Sequence, residues 1–253
     1  MVKNIKKIRL IGLFVYILIA CLVVYFLEPV YLLSIIIVLV PPSIVNFLWL
    51  KKSRKKILIF SIVSTVLFAF AIELSSRLAN TWDVQSTLPR LLGIIPLENM
   101  LFAFLNIFWV LSFYEYFVDR ETKKISKKFK YLIALFVVFS LIIFGLYIYN
   151  PELIAMNYFT TAIIILIIPS IIIFSKNPLL LKKTLLPTLF FALVFFVYEI
   201  VSLKIGSWWW PGEYLKTFIV FGKVFPLDDV IIWYLLSTIT LIGGYEFFAD
   251  NSK

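Results

Sequence analysis

Two glutamates stand inside long apolar runs of the chain, where an acidic residue is rare. Glu73 follows the residues AFAI, and Glu199 follows FFVY. A charged carboxylate is costly in such surroundings, because desolvation favours its protonated form. A carboxyl that keeps its proton can donate it, so these two residues predict general acid–base chemistry in an apolar setting.

Three more acids follow prolines in a motif that occurs twice. It reads Pro96-Leu97-Glu98-Asn99 in the first copy and Pro226-Leu227-Asp228-Asp229 in the second. Two carboxyls close together also favour a protonated form, although adjacent positions on a helix point about 100° apart. We expect Glu98 or Asp228 to donate a proton and another carboxylate to remove one. The alternative is that both acids only complement the dipole at the start of a helix.

Other kinds of chemistry find little support in the composition. The chain has no histidine and a single cysteine, Cys21, which lies in an apolar run and favours a packing role. The eight glycines form no phosphate-binding or dinucleotide-binding loop. Only Asp228-Asp229 approaches a carboxylate pair for magnesium, and this signal is weak. No cofactor and no metal are predicted.

The acids belong to a larger pattern that occurs twice in the same order. A glutamate is followed nine residues later by a tryptophan, which gives Glu73 with Trp82 and Glu199 with Trp208. The proline–leucine–acid motif comes next, and a long apolar run then ends near a tyrosine–glutamate pair, at 114–115 and 245–246. The order predicts an internal duplication, with a first repeat over residues 1–128 and a second over 129–253.

The apolar runs themselves predict the fold. The chain is 62% hydrophobic with a mean hydropathy of +1.03, and runs of about twenty apolar residues cross the membrane as helices. We predict an all-α integral membrane protein whose two four-helix repeats are parallel, because an even number of spans preserves orientation. The eight predicted spans lie near residues 10–27, 30–50, 57–79, 99–118, 131–149, 159–175, 185–203 and 229–248.

Basic residues predict the orientation of these spans. Nineteen of the 24 lysines and arginines, Arg120 and Lys253 among them, fall in the segments that share one side with the N-terminus. This bias predicts a multi-pass protein of the cell membrane with both termini in the cytoplasm. The net charge of +10 does not indicate nucleic acid, because the basic residues cluster at the ends of spans. The run from Leu10 to Leu27 is interpreted as a retained first span.

The connections on the other side, 80–98 and 204–228, are long and rich in tryptophan and proline. Aromatic faces there could stabilise a cation, and an interfacial aromatic belt is the alternative, favoured for Trp209 and Trp210. Arg77 lies one turn after Glu73, and pairing with it is the structural alternative to a functional role for Glu73, whereas Leu203 takes that position after Glu199. Glu115 and Glu246 are interpreted as structural: they either extend to the membrane surface or fix helix packing through Tyr114 and Tyr245.

With these residues the chain resembles the membrane-embedded lycopene cyclase family of bacteria and archaea. The resemblance covers both halves and rests on Glu73, Glu199, the segment GSWWWPGEY at 206–214 and the two proline–leucine–acid motifs. In the family the motif often ends in two acids, as the second copy does, whereas the first ends in Asn99. The predicted catalytic residues are Glu73, Glu98, Glu199, Asp228 and Asp229, and the predicted substrate-binding residues are Trp82, Asn99, Trp208 and Tyr214.

The resemblance implies a fused, two-repeat cyclase that acts on a linear, lycopene-type carotenoid within the bilayer. A proton adds to a terminal double bond, a neighbouring double bond attacks the cation, and a base removes a proton, with no redox change. The expected partners are the lipophilic carotenoid and membrane lipid, and no oligomeric state is predicted. A hydratase or prenyltransferase-like enzyme acting on a polyprenoid, and a non-enzymatic membrane carrier or assembly factor, are the alternatives.

Overall fold

The computed structural model describes residues 2–119 and 121–250 of the chain. Over these residues, eight helices are long and apolar enough to cross a membrane, which confirms the predicted number. They are α1 (Asn4–Leu27), α2 (Tyr31–Trp49), α3 (Arg54–Leu78), α4 (Leu97–Phe117), α5 (Phe129–Tyr149), α6 (Phe159–Lys176), α7 (Leu180–Ile205) and α8 (Asp229–Ala249). Arg120 and Lys253, which entered the count of basic residues, lie outside the described residues.

Three helices contain π-helical segments that the sequence did not predict. These segments are Ser64–Ala69 in α3, Ile163–Ile167 in α6, and Asp229–Ser237 and Tyr245–Ala249 in α8. In α6 the regular helix resumes at Ile168 with Pro169 in its first turn, where proline's missing N–H is tolerated. A π turn inserts an extra residue per turn and widens the helix, and such segments are frequent at functional sites.

The centre of the bundle is built by α2, α4 and α7. Trp109 of α4 is fully buried, and its ring meets Phe190 and Phe191 of α7 edge to face. Its indole Nε1 donates a hydrogen bond of 3.2 Å to Asn46 of α2. Outward faces are apolar as well: Ile8, Leu141 and Ile171 each expose more than 60% of their surface. Such a surface suits contact with lipid chains better than contact with water.

The two long connections contain short strands, which the all-α prediction did not include. β1 (Asp83–Val84) pairs antiparallel with β4 (Trp208–Trp209), β2 (Arg90–Leu91) with β3 (Ile95–Pro96), and β5 (Thr217–Val220) with β6 (Lys223–Pro226). The β1–β4 pair joins the two connections. We call the end of the bundle formed by residues 79–96 and 206–228 the tryptophan end. The opposite end, which contains the connections that follow α2, α4 and α6, is called the basic end.

The turns of the β2–β3 and β5–β6 hairpins share one feature of their backbone. Leu92-Gly93 and Phe221-Gly222 have positive φ at both residues, between 51° and 72°. The second turn is a two-residue loop, for which positive φ at both positions matches the twist of the flanking strands. Glycine tolerates this conformation without a steric cost.

At the basic end, two tyrosines cross-link the last turns of α4 and α8. The hydroxyl of Tyr114 donates to Glu246, and the hydroxyl of Tyr245 donates to Glu115. Each tyrosine therefore binds the glutamate that follows the other tyrosine. Contacts with the two tyrosines were expected for these glutamates and are present, but each glutamate binds the tyrosine of the other motif rather than its own neighbour.

Two lysines extend the same crossed pattern. Lys56 of α3 lies 2.8 Å from Glu115 and 2.6 Å from Asp250, and all three side chains are buried. Lys183 of α7 pairs with Asp119 at 2.8 Å and with Glu246 at 3.7 Å. Each lysine thus binds one acid from its own half of the chain and one from the other half.

The buried lysine predicts a stability effect. We expect Lys56→Met to lower the free energy of unfolding by about 3–5 kcal/mol, because it leaves two buried carboxylates without their cation. Thermal unfolding in detergent measures the effect. Lys183→Met is the matched control, since Lys183 is 38% exposed and water already screens its attraction to the two acids. Equal destabilisation by the two variants would contradict the prediction.

Candidate active site

A cavity of about 470 Å³ lies among the helices. It reaches from Glu73 and Glu199 at the tryptophan end to Phe60 and Phe248 towards the basic end. Glu73 and Phe60 are 13 residues apart on α3, which corresponds to roughly 20 Å along a helix. The cavity is therefore long enough to hold an extended molecule along the bundle.

Apolar side chains form most of the cavity wall. Aromatic rings are prominent among them, and Phe68 of α3 stacks on Phe136 of α5 with ring centroids 4.9 Å apart. Residues of all four π segments contribute to the lining, including Phe68, Leu166, Trp233 and Phe248. The widened helices thus face the space in which a ligand would lie. The shape and lining suit a slender, apolar ligand.

Glu73 forms the first of two carboxyl sites at the tryptophan end. Its Oε2 accepts hydrogen bonds from Asn99 Nδ2 at 3.1 Å and from Arg77 Nε at 3.4 Å. Arg77 is held in place, because its Nη1 also donates to Asp83 at 2.5 Å and to the carbonyl of Trp82 at 2.7 Å. The contact with Arg77 that the structural alternative for Glu73 requires is therefore present. We call Glu73, Arg77 and Asn99 the first carboxyl site.

Glu199 forms the second site in a different environment. Its Oε1 accepts hydrogen bonds from the indole N–H groups of Trp208 at 2.6 Å and Trp210 at 3.2 Å. Leu203 stands where the first site has its arginine, and Asp229 stands where it has Asn99. Asp229 is 4% exposed, lines the cavity and interacts electrostatically with Glu199. We call Glu199, Asp229 and the two indole groups the second carboxyl site.

Aromatic rings connect the two sites. Trp82, beside the first site, stacks on Trp210 of the second with centroids 5.9 Å apart and ring planes 16° from parallel. Trp208 meets Tyr31 and Tyr198 edge to face. These five rings all line the cavity. A ligand end group placed between Glu73 and Glu199 would lie against aromatic faces.

Trp210 and Tyr31 are site residues that the sequence reasoning missed. Trp210 was favoured as part of an interfacial belt, yet it is only 6% exposed, whereas the neighbouring Trp209 is 43% exposed, as a belt residue would be. Burial alternates over Trp208, Trp209 and Trp210, because successive residues of an extended segment point to opposite sides; no sequence signal marks so short a strand. Tyr31 lies outside every repeated motif and gave no signal.

Tyr214 lies behind this aromatic wall. Its hydroxyl donates to the carbonyl of Thr81, its ring meets Trp210 edge to face, and burial raises the pKa of Tyr214. Gly212 permits this packing, because a Cβ there would come within 2.8 Å of the Thr81 Cα. Tyr214 is absent from the cavity lining among the described residues. Its predicted contact with substrate stays a prediction, and the geometry gives it the role of supporting Trp210.

Glu98 and Asp228 bind the backbone of the connections. Glu98 Oε1 accepts from the backbone N–H groups of Thr87 at 2.6 Å and Leu88 at 2.7 Å. Asp228 Oδ2 accepts from the N–H of Leu215 at 2.9 Å. In the described part of the chain neither residue lines the cavity, whereas their neighbours Asn99 and Asp229 do. The structure thus brings three of the five predicted catalytic carboxyls, Glu73, Glu199 and Asp229, to the cavity, and the catalytic role of all five stays a prediction.

Comparisons of the chain with protein-family models, with curated proteins and with solved structures found no match.

The contacts of Glu98 predict a local effect on the loop that it holds. We expect Glu98→Ala to raise the hydrogen-exchange rates of the Thr87 and Leu88 amides about tenfold or more, because each loses a hydrogen bond to a charged group. Exchange–mass spectrometry in detergent measures these rates. Exchange at Trp109, in the middle of α4, is the internal control. Unchanged rates at 87–88 would contradict the loop-anchoring role.

Proposed function

We propose that the chain is a multi-pass membrane enzyme that converts the end group of a linear, lycopene-type carotenoid into a ring by carboxyl acid–base catalysis. One observation carries this proposal. The cavity is long and apolar, and its buried carboxyl groups, Glu73, Glu199 and Asp229, belong to two sites at the tryptophan end. A polyene of this class is likewise extended and apolar, and it needs proton transfer only at its end, which is the part that the cavity would hold.

The proposed setting is the cell membrane, with the basic end and both termini in the cytoplasm. Eight apolar helices and the concentration of lysine and arginine at one end of the bundle support this orientation. The tryptophan end then faces the opposite side. The substrate enters from the bilayer, where carotenoids dissolve.

We also propose that the bundle consists of two parallel four-helix repeats, over residues 1–128 and 129–253. Several paired contacts support the duplication. Tyr114 and Tyr245 bind each other's glutamates, and the β1–β4 pair places Val84 opposite Trp208. Each hairpin also has two successive residues with positive φ in its turn. A duplicated unit explains why the cavity has one carboxyl site from each half.

The residues supply what ring closure requires. Protonation of the terminal double bond needs an acid, and Glu73 and Glu199 are both only 5% exposed, so bulk water does not compete for the proton. The resulting cation lies against Trp82, Trp208 and Trp210, whose ring faces attract positive charge. A second carboxylate removes a proton from the ring. The dry apolar wall protects the cation from capture by water until then.

Hydration of the same end group is the second candidate. Asn99 Oδ1 is buried and has no hydrogen-bond partner among the described residues. This oxygen could accept a hydrogen bond from a water molecule beside Glu73, and the carboxylate could then activate that water for attack on the cation. Cyclisation leaves the mass of the carotenoid unchanged, whereas hydration adds one water.

The activity is tested by expressing the chain in a bacterium that accumulates lycopene. We expect pigment with lycopene's mass but with shifted absorption and retention, because each ring replaces one double bond of the acyclic chain and so preserves the formula. Chromatography with mass detection makes the measurement. Product heavier by one water would favour the hydratase. Unchanged lycopene in cells that hold the protein in their membranes would contradict both.

The part of the cavity nearest the basic end, which we call its deep part, should limit the length of substrate that fits. Gly244 of α8 lines it, and a Cβ at this position would meet no atom within 4 Å. We expect Gly244→Leu to shorten the available space and to reduce turnover of lycopene at least about tenfold, while a shorter linear carotenoid is still converted. Relative product yields from the two substrates measure the effect.

Gly145→Leu is the matched control for this experiment. Gly145 is exposed on α5, and a Cβ there also meets no atom within 4 Å. The control should therefore leave the preference for substrate length unchanged. If Gly244→Leu reduced both substrates equally, the carotenoid tail would not occupy the deep end.

A further inference from the structure

The cavity needs an opening through which a long apolar molecule can pass, because the proposed substrate dissolves in the bilayer. We infer that this opening lies between α5 and α6, beside Leu135 and Ile164, and that the polyene chain enters the cavity there from the lipid. The identity of the ligand rests on the proposed function, whereas the position of the opening rests on the structure. We call Leu135 and Ile164 the rim residues.

The rim residues belong both to the cavity wall and to the outer surface of the bundle. Among the described residues that line the cavity, Leu135 of α5 and Ile164 of α6 are the exposed ones, with 55% and 41% of their surface accessible. Val138 and Ile168, about one turn further along the same helices, are exposed as well, so this side of each helix faces outward. The cavity therefore reaches the outer surface between α5 and α6.

These two helices pack against different neighbours. Phe136 of α5 stacks on Phe68 of α3, and Ser140 of α5 donates a hydrogen bond to a backbone carbonyl of α3. α6 packs against α8 instead, where the hydroxyl groups of Ser170 and Thr240 lie 2.7 Å apart. In the described part of the chain no hydrogen bond joins α5 to α6. A ligand can therefore pass between them without breaking a polar contact.

In the proposed membrane setting, both rim residues lie at the depth of the lipid chains. α5 begins at the basic end with Phe129, six residues before Leu135, and α6 ends there with Lys176, twelve residues after Ile164. At 1.5 Å per residue the rim residues lie roughly 9 and 18 Å from the basic ends of their helices. A hydrocarbon core is about 30 Å thick, so the opening faces lipid chains rather than water.

The two ends of the cavity are closed by contacts that an apolar chain would have to break. At the tryptophan end, Trp82 stacks on Trp210, and Tyr214 packs against the same ring of Trp210. At the basic end, Lys56 and Glu115 form a buried ion pair. Passage through either end would disrupt stacked rings or uncover buried charges, which is costly. Passage between α5 and α6 displaces only lipid.

The opening also accommodates the part of the substrate that the cavity does not hold. An extended carotenoid is comparable in length with the hydrocarbon core of a bilayer, about 30 Å, whereas the cavity extends roughly 20 Å along α3. The remainder of a bound polyene must therefore lie outside the cavity. Gly244 lies five residues before the end of α8, at a similar depth to Leu135. A chain that passes Gly244 thus reaches the opening.

Photolabelling from the lipid phase tests the opening without relying on catalysis. The protein is reconstituted in phosphatidylcholine liposomes that contain a straight-chain hydrocarbon bearing a diazirine, and labelled peptides are identified by mass spectrometry after illumination. The reporter is α4, because none of its residues is exposed, whereas Ala103 and Ile107 line the cavity. We expect label on these two residues in the unaltered protein. Ile11, exposed on α1, is the internal standard because lipid reaches it directly.

Substitutions of the rim residues should change this labelling in both directions. Leu135→Trp combined with Ile164→Trp should lower the label on α4 at least about fivefold relative to Ile11, because two large indole rings fill the gap. Leu135→Ala combined with Ile164→Ala should raise it. Val138→Trp combined with Ile168→Trp is the matched control and should behave like the unaltered protein, since both positions are exposed and lie outside the described cavity lining. Size-exclusion chromatography in detergent confirms that each variant remains assembled.

Conversion of lycopene in the same liposomes separates the opening from the proposed function. We expect the tryptophan variant of the rim residues to slow conversion together with labelling, and the control variant to change neither. No label on α4 in the unaltered protein, equal labelling of the rim and control variants, or unimpaired conversion by the tryptophan rim variant would overturn the opening. Labelling as expected in a protein that leaves lycopene unchanged would overturn the cyclase and leave the lateral opening in place.

Discussion

Buried acids are the constraint around which this protein is organised. An apolar bundle can hold a carboxyl only if a cation, a hydrogen-bond donor or a proton compensates for the loss of water. Two of these solutions are seen among the described residues. Lys56 neutralises Glu115 at the basic end, and Arg77 pairs with Glu73 at the tryptophan end. Glu199 instead accepts hydrogen bonds from the indole groups of Trp208 and Trp210.

The same constraint explains how the two ends of the bundle differ. At the basic end four carboxylates, those of Glu115, Asp119, Glu246 and Asp250, each meet a lysine or a tyrosine from the other half, so these acids hold α3, α4, α7 and α8 together. At the tryptophan end Glu73, Glu199 and Asp229 line an open space instead. The rigid end thus fixes the helices whose opposite ends carry the proposed chemistry. Because contacts at the basic end hold the helices together, the acids that line the cavity are not needed for helix packing.

Much of this fold follows from the sequence alone, because the length of an apolar run is a property of the residues themselves. The span predicted at 131–149 is the helix Phe129–Tyr149, and the others agree within a few residues. The short strands were not predicted, since two residues are too few to show a period of two. The π segments were not predicted either, because the extra residue in a turn depends on the neighbours against which the helix packs.

The site was predicted in its residue types but not in all of its positions. Glu98 and Asn99 are adjacent, as are Asp228 and Asp229, and a step of one residue rotates a helical side chain by about 100°. Sequence could not tell which member of each pair faces inward. The structure turns Asn99 and Asp229 to the cavity and their neighbours to the connections. The tilt and rotation of α4 and α8 decide this, and they depend on contacts between distant segments.

The ion pair between Lys56 and Asp250 joins residues 194 positions apart. When a ribosome has made only the first four helices, Lys56 and Glu115 are already in place, but the third member of the group has not been synthesised. The early chain therefore holds an incomplete ionic group at the cytoplasmic side of the proposed orientation, where water can still reach it. Closure must await Asp250, so the ion pair that joins α3 to the end of α8 forms only after all eight helices have been made.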